Sequence, residues 1–175
     1  MIIVTTKMSR NDIKIVEPKD VSSRQFLVQD RTSSSSTQIL AGEPVKQAAD
    51  GSPYVIKLAT GDPEIGTDLF IGIAVNDSTE TASADGVVQV AVVVPGVTLL
   101  EAKATTPANI DTQAKINALI GDCVCYDLTS TTFTIDENEG NDNNVHGLII
   151  QGGDPAAGTL THVVKTQATM QGAAL

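Results

Sequence analysis

Residues 66–96, GTDLFIGIAVNDSTETASADGVVQVAVVVPG, decide the fold. The stretch holds two apolar, β-branched runs, Leu69 to Val75 and Val87 to Val94, separated by a polar segment that ends in Asp85-Gly86. Runs of this length between turn residues predict strands, because Val, Ile and Phe crowd a helical turn but fit a pleated surface. The two runs are expected to be the central strand pair of an all-β, mainly antiparallel barrel or sandwich. Gly72 is expected to allow close packing and Asp85-Gly86 a tight turn.

On the N-terminal side, Ile39 to Val45 predicts a short strand broken by a Gly-x-Pro turn, and Tyr54 to Ala59 a second strand. The Gly61-Asp62-Pro63 to Gly66-Thr67 segment then predicts a reversal that makes a hairpin, or at least an adjacent antiparallel pair, with the strand at Leu69. Its phrase recurs as Gly153-Asp154-Pro155-Ala156-Ala157-Gly158-Thr159, so the same turn is expected twice. Neither copy has the Lys and following helix of a nucleotide-binding loop.

On the C-terminal side, Thr106 to Gly121 predicts one short helix over residues 107–120. Thr106 or Asp111 suits its cap, Pro107 a first position, and Gly121 the residue just past the end, while Ile116, Leu119 and Ile120 form an apolar stripe. Cys123 to Leu128 and Thr132 to Ile135 predict a strand pair joined at Thr129-Ser130-Thr131, followed by strands at Leu148 to Gln151 and Thr161 to Lys165. The chain divides into an extended N-terminal arm (1–37) with one or two short strands, a β body (38–165) and a small uncharged tail (166–175). For the strands of the arm, lying on a partner and an ordinary edge position are equally admissible.

With 175 residues, 41% of them hydrophobic, the chain is long enough for a real core, and with 3% aromatics and no Trp that core must be built mainly from Val, Ile, Leu and Ala. Base- or sugar-stacking platforms are disfavoured. A net charge of −10 disfavours contact with nucleic acid or an anionic membrane. The charge is uneven, since residues 1–31 hold six cations (Lys7, Arg10, Lys14, Lys19, Arg24, Arg31) against four acids, and the remainder five against seventeen. A slightly basic arm on an acidic body suits docking onto an acidic protein surface. The opening MIIVTTKMSR has too short an apolar run for a secretory leader, and no run reaches the length of a membrane span.

Candidate chemistry is sparse. The loop Asp136 to Asn144 offers hard oxygen ligands of the kind calcium prefers, yet its glycine, Gly140, stands fifth instead of sixth and no Glu occupies the twelfth place, which favours a solvated acidic turn. Cys123, Cys125, His146 and His162 are a possible zinc set, but Cys-x-Cys departs from the usual spacing. The two cysteines, on one strand face, are expected to be reduced structural thiols. No nucleophile elbow appears and nothing pairs either His with a nucleophile. The expectation is therefore a non-enzyme with no metal and no cofactor.

The order Gly42-x-Pro44-Val45, Phe70-Ile71-Gly72-Ile73-Ala74, Ala84-Asp85-Gly86-Val87-Val88-x-Val90 and Pro95-Gly96-Val97 resembles the small decoration, or cement, proteins of tailed-phage heads. The resemblance covers residues 38–100 and, more weakly, 145–165; the helix-containing insert and the acidic loop depart from it. It implies a structural virion protein, made in the host cytoplasm, that binds the major capsid protein on the outer surface of the assembled shell. It implies a homotrimer that stabilises the shell against internal DNA pressure, with no nucleic acid or membrane partner. The six arm cations, Lys7, Arg10, Lys14, Lys19, Arg24 and Arg31, would touch the capsid, and deleting the arm would leave a folded body. The alternative is a head-fibre or tail-associated adhesion module that binds host surface glycans.

Overall fold

The computed structural model describes residues 12–18, 21–32, 37–49, 51–139 and 141–168. Within them the strands are β1 (Ile13–Glu17), β2 (Ser23–Val28), β3 (Pro44–Gln47), β4 (Val55–Lys57), β5 (Phe70–Ala74), β6 (Gly86–Val92), β7 (Leu99–Lys103), β8 (Cys123–Thr129), β9 (Thr132–Asp136), β10 (Leu148–Asp154) and β11 (Thr159–Val164). All pair antiparallel, in a six-stranded sheet β1-β7-β11-β10-β8-β9 and a five-stranded sheet β2-β6-β5-β3-β4. The all-β expectation holds. Each sheet also curls back on itself through one isolated parallel bridge, Ala104 to Ile135 in the larger and Leu27 to Tyr54 in the smaller. Such closure shields part of the edges that would otherwise template aggregation.

Alternation along the strands explains the two cores. In the larger sheet Leu100, Ala102, Val124, Tyr126, Phe133, Ile135, Leu148, Ile150, Leu160 and Val164 point into one cluster. In the smaller sheet Val28, Val45, Val55, Ile71, Ala74, Val88 and Val90 form another. β5 joins them, and all five of its residues are buried. Opposite it the register slips between Val45 and Lys46, which pair with Gly72 and Phe70, leaving Ile71 as an extra residue. This bulge puts Phe70 and Ile73 in the larger core and Ile71 and Ala74 in the smaller. The FIGIA run is apolar throughout because it is covered on both sides.

β5 and β6 do pair at the centre of their sheet, Ile73 opposite Ala91. The hairpin expected between Tyr54–Ala59 and Leu69 does not form: β3 lies between β4 and β5 and pairs with both. The repeated Gly-Asp-Pro phrase builds two different structures. Gly153 to Thr159 closes the β10–β11 hairpin, with Asp154 opposite Thr159 and its Oδ1 accepting from the Ala156 and Ala157 amides. Gly61 to Thr67 is a long connection between non-adjacent strands; the copies share only a left-handed glycine, Gly66 (φ 77°) and Gly158 (φ 65°).

The expected helix is split. Pro107–Ile110 is a 3-10 turn and α1 (Gln113–Leu119) follows it, capped by Thr112, whose hydroxyl accepts from the Lys115 amide. The cap is neither Thr106 nor Asp111, although Gly121 ends the element as expected with φ 93°. Of the stripe only Ile116 is fully buried, whereas Ile120 is 50% exposed. Burial of Ile110 and Ile116 contributes about 2 to 3 kcal/mol each where the helical segment meets the larger core.

The described residues of 1–37 take the edge-strand option. β1 pairs with β7 and seals Ile13 in the larger core, and all six residues of β2 pair with β6. Removing this segment would strip a strand from each sheet, so the expected arm deletion is not a clean one. In the tail, Thr166–Ala168 forms a 3-10 turn with Ala168 buried; residues 169–175 lie outside the described residues.

Candidate functional site

Three inward polar clusters hold most of the chain's reactive chemistry. In the first, Lys46 projects from β3 at the bulge and its Nζ lies 2.7 Å from Asp62 Oδ2 and 2.6 Å from Asp68 Oδ1. The carboxylates come from the two ends of the β4–β5 connection, where Asp62 Oδ2 also accepts from the Ala59 amide and Asp68 Oδ2 from the Glu64 amide. Burial, then a hydrogen bond with Asp68, raises the proton affinity of Asp62. Burial also pulls Asp68 upward, but hydrogen bonds from Asp62, the Glu64 amide and Lys46 hold it below the usual carboxylate value. Of the two carboxyls, Asp62 is therefore the one that takes up a proton first. Burial opposes charge on Lys46, yet the hydrogen bonds and charges of the two acids outweigh it and raise its pKa. No sequence pattern marks these positions, because they lie on different elements.

In the second cluster, Tyr126 of β8 and His162 of β11 meet inside the larger core, hydroxyl to Nε2 at 2.6 Å with the rings edge to face. Burial lowers the His162 pKa to about 3 and raises the Tyr126 hydroxyl well above its ordinary value. The histidine is a neutral core residue that satisfies a tyrosine.

In the third, residues 136–139 and 141–146 lie over the outer face of β8. Cys123 and Cys125 share that face, as their spacing predicts, and both are free thiols; burial, with Glu139 and Asp136 nearby, pushes Cys125 up to about 12. Asn141 Oδ1 accepts from the Cys123 amide and Asn143 Oδ1 from its thiol. Asp142 Oδ1 caps the Asn144 amide, and Glu137 turns inward to accept from the Thr106 amide and the Asn109 side chain. The loop's oxygens thus diverge onto protein donors. Among the described residues no three His, Cys, Asp or Glu side chains converge as metal ligands would, whether from this loop or from Cys123, Cys125, His146 and His162. Glu137→Ala is expected to cost about 1 to 3 kcal/mol, because it removes the acceptor shared by the Thr106 amide and the Asn109 and Asn138 side chains. Urea unfolding would measure this, and an unchanged midpoint would show that the loop is not pinned by Glu137.

Of the six arm cations, Lys14, Arg24 and Arg31 lie within the described residues. Lys14 pairs with its cross-strand neighbour Glu101 at 3.6 Å, and Arg31 lies 4.0 Å from the buried Glu80 and donates to its carbonyl at 3.2 Å. Arg24 is exposed on β2 with no ion-pair partner among the described residues. Lys7, Arg10 and Lys19 lie outside the described residues.

A concavity lies apart from the first two clusters. A cleft of 470 Å³ lies between the 94–98 turn, the 143–145 loop and the end of β11, lined by Ile65, Gly96, Asn144, Ile149, Val163 and Lys165 among others. None of its lining residues is acidic or aromatic. Val97 (63% exposed) and Val145 (40% exposed) stand directly next to it in sequence. The perturbed groups Asp62, Asp68, Tyr126 and His162 do not line this cleft, so open space and unusual ionisation fall in different places. Comparison of the chain with protein-family models, curated proteins and solved structures gives no match, so its function is argued from its own residues.

Proposed function

We propose that this protein is a structural decoration protein of a tailed-phage head, binding the outer surface of the assembled capsid as a homotrimer. The observation that supports this reading best is the acid-free cleft beside Val97 and Val145 on a chain of net charge −10. Copies of so acidic a chain repel one another, and they associate only through a face that leaves the carboxylates out. Lys46 pairs with Asp62 and Asp68, and Tyr126 with His162, inside the fold, which suits a protein that acts by shape, burial and multivalency rather than catalysis. Among the described arm residues Arg24, exposed on β2, is the one that would meet an acidic capsid surface; Lys7, Arg10 and Lys19 join it on the grounds of their charge in the sequence. The cleft lacks the aromatic and acidic groups a glycan pocket would use, and so lends the adhesion alternative no support.

The test is sedimentation of the protein alone and with mature phage capsids. The wild type is expected to run as a trimer and to pellet with capsids. Val97→Asp should weaken self-association about tenfold or more, since it buries a charge in the interface, with circular dichroism unchanged. Because β1 and β2 are structural, capsid contact is tested by the combined Lys7→Ser, Arg10→Ser, Lys19→Ser and Arg24→Ser variant instead of a deletion. A monomer that ignores capsids would remove the reading.

A further inference from the structure

We propose that Lys46 and Asp62 condense within the folded chain to a side-chain amide, with Asp68 carrying the protons. The three side chains are held for it. Lys46, Asp62 and Asp68 retain only 16%, 12% and 6% of their side-chain exposure, and the Lys46 nitrogen already touches the carboxyl it would attack. Each carboxyl is oriented by a backbone amide, Ala59 on Asp62 and Glu64 on Asp68, so neither swings away from the nitrogen. Fixing nucleophile and electrophile in contact removes the entropic part of the barrier, and exclusion of water favours neutral species over separated charges. A lone buried Lys–Asp pair would have no third group to move protons. Here a second carboxyl lies against both partners.

The step balances without any co-reactant. The Lys46 ammonium gives one proton to the Asp68 carboxylate. The freed nitrogen lone pair forms a bond to Cγ of protonated Asp62, the bond from Cγ to the Asp62 hydroxyl breaks, and that oxygen leaves as water with a second proton from nitrogen. The products are a neutral amide with one N–H, one water and a protonated Asp68. With Lys46 as the ammonium, Asp68 as the carboxylate and Asp62 as the acid at the start, the first proton transfer is uphill; it has to succeed only once per molecule. The product ties β3 to the β4–β5 connection at the bulge where the two cores meet.

The experiment is the intact mass of the purified full-length protein, followed by a tryptic map. The wild type is expected one water lighter than its sequence, with no cleavage after Lys46 and with the peptide that carries Asp62 attached there. Lys46→Arg and Asp68→Asn should have full sequence mass. A wild type at full sequence mass after prolonged warm incubation overturns the proposal and leaves an ion triad only. A link mapped to Asp68, or one that persists in Asp68→Asn, overturns the assigned roles. The wild-type mass decides the main point whether or not the variants fold, and it is independent of capsid binding.

Discussion

Gly72→Ala is expected to cost about 3 kcal/mol or more, the upper range for overpacking and enough to unfold many domains of this size. A Cβ at this position would stand 1.9 Å from the carbonyl oxygen of Ala91 and 2.9 Å from its carbonyl carbon. Both are backbone atoms of the neighbouring strand, held by the β5–β6 ladder in which Gly72 pairs with Val92 and Ile73 with Ala91. A side chain could rotate away, but a ladder strand can move only by giving up its hydrogen bonds. The clash also falls beside the bulge that lets β5 serve two cores, so relief on one side disturbs packing on the other. Gly152→Ala is the control: its Cβ would meet only the Thr161 hydroxyl, at 3.3 Å, and the expected change is within about 0.5 kcal/mol. Urea unfolding of the two variants makes the comparison, and equal losses would refute the close-approach account.

The second large effect is acid lability from His162. Its pKa in the fold is about 3 against 6.5 unperturbed. Below pH about 6.5 the unfolded chain takes up a proton that the folded chain refuses, so stability falls as pH falls, and the loss stops near the folded pKa. One proton corresponds to about 1.4 kcal/mol for each pH unit in that window, and the full loss is on the order of 5 kcal/mol. Unfolding free energies at several values between pH 7 and 4 should show this slope. His162→Gln, whose amide still offers a partner to the Tyr126 hydroxyl, should reduce the slope by about that amount. If wild type and variant keep the same pH dependence, the histidine is not held neutral in the core.

Much of the architecture was legible because strand chemistry is local. The runs around Phe70–Ala74 and Gly86–Val92, the Ser130-Thr131 turn between β8 and β9, the shared face of Cys123 and Cys125 and the stop at Gly121 all follow from side-chain shape and a period of two. The helix was legible as a region but not in detail. Thr112 took the cap, and not Thr106 or Asp111 as expected, because its extended backbone (φ −134°, ψ 152°) lets its hydroxyl face the Lys115 amide. The repeated Gly-Asp-Pro phrase was misleading for a related reason. Asp154 caps a turn between strands that pair, whereas Asp62 is drawn inward by Lys46, and nothing within either phrase says which will happen.

By itself, then, the sequence determined the all-β class, the aliphatic core and the acidic surface, since each depends on which residues are present and how they alternate. Only the tertiary structure decided which strands are neighbours, and hence that β3 enters between β4 and β5. It also decided that Lys46 meets Asp62 and Asp68, that His162 meets Tyr126, and that Ile13 and Val28 seal two cores. The reason is that strand identity is a short-range property, while strand partnership is settled by competition among all the apolar faces of the chain for burial.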